Sequence, residues 1–158
     1  MKPRITAVLA LSLLLTGCGI QSTDVVEAGD PARAHVNAPA AGRMLLFFLS
    51  PNGELMPVTR SVGGPVEAGK TIAALLAGPV EQERAAGLDT ALPRHGLPVR
   101  IEDAGDGVRV YVGFDVTGLS GSAHRQLVCT AAYAGEGDGL LEVTVVGTDG
   151  TLPPDRCR

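Results

Sequence analysis

Lys2 and Arg4 stand just before an apolar run from Ile5 to Leu15, and the small residues Thr16 and Gly17 separate that run from Cys18. A charged start, an apolar centre and a small-residue exit are the order of a secretory signal. The run has roughly half the ~20 apolar residues that a spanning helix needs, so it makes a poor permanent anchor. Residues 1–17 are therefore expected to be removed on export. Whatever folds has to do so outside the cytoplasm, from the residues that follow.

The four residues Leu15-Thr16-Gly17-Cys18 resemble the bacterial lipobox, where small side chains admit the peptidase and the cysteine carries a diacylglycerol. The resemblance implies cleavage before Cys18, lipid on that cysteine, and a place on the extracytoplasmic face of the cell membrane. Each buried acyl methylene contributes about 0.8 kcal/mol and one chain binds only marginally, so a doubly or triply acylated terminus gives stable attachment. The membrane is thus the first expected partner.

Of 13 basic and 17 acidic residues, Lys2 and Arg4 leave with the signal, which gives the mature chain a net charge of about −6. That balance disfavours nucleic acid and anionic headgroups as partners. With no Trp, three Phe and two Tyr, a core must come mainly from Val, Leu, Ile and Ala. Such a core buries less area per residue than an aromatic one and suits one modest domain. Once Cys18 is lipidated, Cys129 and Cys157 remain as an even pair, which in an exported domain favours a disulfide over free thiols. Its closure would stabilise the fold by about 3 to 4 kcal/mol. Two cysteines without histidine neighbours make a poor zinc site.

Residues 18–42 are small, polar and proline-bearing, without a sustained apolar period, and read as a lipidated terminus and flexible tether. Residues 43–158 read as a single domain. Arg43 to Leu49 and Leu55 to Arg60 flank Pro51-Asn52-Gly53, a hairpin signal. Ile72, Leu75 and Leu76 recur at helical spacing up to Gly78-Pro79. Pro79 can open a second helical turn, Val80 to Ala86, with Glu81 and Glu83 at its positive end and Gly87 as its stop. Val99 and Ile101, then Val108, Val110 and Val112, alternate with polar residues around residues 104–107, a second hairpin. Ser120 or Ser122 can cap a helix whose apolar face is Ala123, Leu127 and Ala131, widened by Val128 and Ala132, with Cys129 off that stripe. Leu140 to Val146 is the last strand, and the tail after Asp149-Gly150 could cross back to the helix that carries Cys129. The order predicts an α+β fold, a small mixed or antiparallel sheet with two main helices packed on one face.

Two blocks resemble the GerMN domain, a small α+β domain of sporulation, germination and actinobacterial envelope proteins. The first is residues 73–88, a helix, a Gly78-Pro79 break and an acidic turn, followed by Thr90-Ala91-Leu92-Pro93. The second joins residues 110–115, residues 126–130, and the closing residues 143–147 with Asp149-Gly150. The resemblance covers roughly residues 46–150 and implies protein interaction in the cell envelope; it carries no catalytic residues. Abundant Gly, Pro, Ala and Arg likewise resemble the usage of a GC-rich genome, the actinobacteria included.

Candidate chemistry is sparse. Residues 64–71, Gly64 through Lys70 and Thr71, satisfy phosphate-loop spacing ahead of a helix. Glu67 sits inside the proposed anion nest, however, and the chain has too few strand–helix units for that fold, so Gly63-Gly64 and Gly69 read as turn and close-approach residues. His35, His95 and His124 lack metal-ligand spacing. Ser120 lacks the second glycine placement of a nucleophile elbow and reads as a helix cap. Glu102, Asp103 and Asp106 read as hairpin-tip residues. The expected function is that of a non-enzymatic module, without a cofactor or metal, that binds an envelope protein or a cell-wall polymer through a sheet edge or helix face. The alternative is a small ligand- or nucleotide-binding protein, or a hydrolase, built on the loop at residues 64–71.

Overall fold

A computed structural model describes residues 40–94, 98–135 and 137–158. The expected signal, Cys18, His35, His95 and the tether as far as residue 39 lie outside the described residues. The described residues all belong to one compact unit, His35–Arg158.

The continuous apolar run becomes β1, Arg43–Leu49, which pairs antiparallel with β2, Leu55–Ser61, in the register Arg43↔Ser61 to Leu49↔Leu55. Gly53 turns the hairpin at φ 78°, and Ser50 N donates to Glu54 O. β1 lacks alternation because both of its faces are buried. Leu46 and Phe48 enter the main core, while Leu45 and Phe47 form a second cluster with Cys129 and Tyr133.

The next segment supplies α1, Ala68–Leu76, whose Ile72, Leu75 and Leu76 are fully buried. Gly78, at φ 83°, ends this turn. The acidic turn forms α2, Glu81–Ala85, which buries no residue, as its polar surface implied. It holds to β2 through Arg60, whose Nε donates to Glu83 Oε1 at 2.9 Å and whose Nη2 donates to Glu83 Oε2 at 2.5 Å.

The second hairpin is β3, Arg100–Asp103, with β4, Gly107–Tyr111. From β4 the chain passes through α3, Gly121–Ala132, to β5, Glu142–Val146, which lies parallel to β4. A parallel pair requires such a crossover, and α3 supplies it. Ser120 is the cap, its Oγ accepting from Ala123 N at 3.2 Å.

The α+β class stands, but among the described residues the five strands form two sheets, β1–β2 and β3–β4–β5, rather than one. The reason is visible along the second edge of β1. Leu49 exchanges two backbone hydrogen bonds with Asp89, and Phe47 N and O bond to the side chains of Thr130 and Gln126 on α3. With those groups occupied, β1 cannot continue into the other sheet. Helices α1 and α3 pack on each other and on β1, and α3 also packs on β5.

Candidate functional site

The helix α3 is the hub, because every residue from Gln126 to Ala132 is buried. Ala123, Leu127 and Ala131 face the main core with Val128 and Ala132, as their spacing implied. Cys129, off that stripe, is only 1% exposed and meets the second cluster. Gln126 and Thr130, four residues apart on the helix, are both fully buried. Thr130 Oγ1 accepts from Phe47 N at 3.1 Å; Gln126 Nε2 donates to Phe47 O at 3.0 Å, and its Oε1 accepts from Ala91 N at 2.8 Å. Two helix side chains thereby do for β1 what a neighbouring strand would do, and leave few of its buried polar groups unpaired.

Cys129 is bonded to Cys157, with 4.6 Å between the Cα atoms across a sequence separation of 28. The tail does cross back to α3. On its way it runs along β5, with Val143 N donating to Asp155 O at 2.8 Å and Asp155 N returning a bond to Val143 O at 3.0 Å. Asp149, at the preceding turn, accepts from Val116 N at 2.6 Å and from Thr117 Oγ1. Those bonds, the one from Thr117 first, hold its carboxyl below the usual carboxylate range.

Residues 62–67, Met44 and Lys70 border a cavity of about 360 Å³. Inside that boundary Lys70 Nζ donates to Glu67 Oε1 at 2.8 Å, with both side chains about two-thirds exposed. Thr71 is fully buried, and its Oγ1 donates to Glu67 O at 3.3 Å. In a phosphate loop the lysine and the hydroxyl both face the anion; here each is engaged by Glu67. The strand before the loop, β2, pairs antiparallel with β1, not within a parallel sheet.

The acidic residues at the second hairpin do not converge. Glu102 pairs with Arg100, while Asp103 and Asp106 are exposed near the tip. His124 lies at the end of the first turn of α3, and its Nε2 is buried with no hydrogen-bond partner among the described residues. Among those residues no three His, Cys, Asp or Glu side chains gather as a metal site, and no helix is long and apolar enough to cross a membrane.

Sequence reasoning passed over Gln126, Thr130 and the Arg60–Glu83 pair. Thr130 lies between Cys129 and Ala131, but Gln126 follows Arg125, so nothing in the sequence sets the pair apart from an exposed polar face. No family model, curated protein or solved structure matches this chain.

Proposed function

We propose that this chain is an exported lipoprotein, cut before Cys18 and held by lipid on that cysteine at the extracytoplasmic face of the cell membrane. Its single domain, similar to the GerMN domain, binds another envelope protein and catalyses no reaction. The observation that carries the export reading is the Cys129–Cys157 bond, since such bonds persist in oxidising compartments. It agrees with the charged and apolar leader and with the lipobox-like residues 15–18.

A binding role is supported by the way β2 is left. It pairs with β1 alone, so its other edge is free of any strand among the described residues. Met56 is 43% exposed there. Phe47 turns its N and O towards α3, so the opposing Pro57 sits at a non-hydrogen-bonded position and turns its own backbone outward. Having no N–H, Pro57 interrupts the row of donors and guards the edge against indiscriminate strand pairing. A partner that reads side chains on this strand suits such an edge better than a plain β-strand does.

The test is in-cell crosslinking of the tagged protein with mass spectrometry, beside a Cys18→Ser form. One or two envelope proteins, enriched with the wild type and lost with Cys18→Ser, are the expected result. A blank in both forms would end the reading of stable protein association.

A further inference from the structure

The last eight residues are held to the domain in an uneven way. Three backbone bonds lay residues 151–155 along the outer edge of β5: Val143 N to Asp155 O at 2.8 Å, Asp155 N to Val143 O at 3.0 Å, and Leu152 N to Val145 O at 2.9 Å. The other edge of β5 belongs to β4. The tail is therefore a short fourth strand that closes the mixed sheet. Pro153 and Pro154, between those contacts, have no N–H to give to the edge.

Among the side chains of this segment, Leu152 and Cys157 pack, partly buried, against the core, and the rest add little to the grip. Thr151, Pro153, Pro154, Arg156 and Arg158 are exposed, and Arg156 approaches Glu142 only to 3.6 Å with both side chains nearly half exposed. What fastens the far end is the bond from Cys157 to Cys129. Cys129 is buried inside the domain at 1% exposure, whereas Cys157 is partly exposed, so of the two half-cystines the tail's own is the more accessible.

We propose that residues 151–158 form a redox-fastened strap. The disulfide keeps the strap on β5, and a dithiol reductant releases it, uncovering Val143 N and O and Val145 O as an edge able to accept an extended strand. In the exchange a thiolate of the reductant attacks Cys157 Sγ and expels the Cys129 thiolate. The second thiol of the reductant then displaces Cys157, so two thiols become one disulfide while the cystine becomes two thiols. The strap meets the core only through the partly buried Leu152 and Cys157, while β1, α1 and α3 supply most of its fully buried side chains, so the opening is local. This inference goes beyond the binding role and holds whether or not the chain is lipidated.

Hydrogen exchange on the detergent-solubilised full-length protein, with and without dithiothreitol, tests it. The amides of Val143, Leu152 and Asp155 are expected to exchange at least about tenfold faster on reduction and to be left far less protected than those of Leu46 and Leu75, which still open only with the whole domain. Cys157→Ser is expected to show the fast pattern without reductant. Unchanged protection at Val143 in either arm, or a reduced protein in which Leu46 and Leu75 are left no better protected than Val143, would overturn the proposal.

Discussion

Gln126 and Thr130 show what single residues contribute here. Each is fully buried, and together they satisfy Phe47 N and O and Ala91 N across long stretches of sequence. A buried polar group that loses its partner costs about 1–3 kcal/mol. Gln126→Leu leaves two such groups, so it is expected to lower stability by about 2–4 kcal/mol. Thr130→Val keeps the shape and strands one donor, for about 1–2 kcal/mol. Urea midpoints check both, and a midpoint unmoved by Gln126→Leu would mean that α3 does not hold β1. The apolar stripe of α3 was legible from its spacing, but this polar face was not. Polar residues on a helix signal exposure unless the groups they will meet are known, and those groups lie 79 and 83 residues away.

At the scale of elements, the β1–β2 hairpin, all three helices, the second hairpin and β5 were legible, because turn residues and apolar periods bound each one locally. Their assembly into two sheets was not, since it depends on which edge of β1 is already occupied. The clamp between β2 and α2 was likewise hidden. Arg60 and Glu83 are only 20% and 13% exposed as side chains, and Arg60 also lies 5.3 Å from the Phe48 ring centroid. The Arg60 hydrogen bonds, opposed by burial and helped by Val80 N, hold the Glu83 carboxyl below its ordinary value of 4.5. A lowered folded pKa means stability that is fully present above 4.5 and is lost as pH falls through the lower native value. Between about pH 6 and pH 3 the wild type is therefore expected to lose more stability than Glu83→Gln. Parallel losses in paired urea titrations would show that the clamp is absent in solution.

At the scale of the whole molecule, the described residues form a small domain with few aromatic side chains, packed round the buried part of α3 and closed by a covalent bond. With a sequence separation of 28, the disulfide is expected to contribute about 3.5 kcal/mol by constraining the unfolded chain. Reduced and oxidised protein should differ by about that much in denaturant titrations; a difference under about 1 kcal/mol would mean that the tail is not fastened in solution. The pairing was legible from cysteine count and export signal together, whereas the strand-like path of the tail was not, because Pro153 and Pro154 argue against a strand. The domain's role rests on the proposed place of the chain in the cell, and that place rests on Cys18. Mass spectrometry of the mature N-terminus from fractionated cells measures it directly. The expected result is a membrane-bound chain that begins at Cys18 and carries acyl mass, with Cys129 and Cys157 oxidised; a chain that keeps Met1, sits in the cytoplasm and titrates as three free thiols would contradict the account.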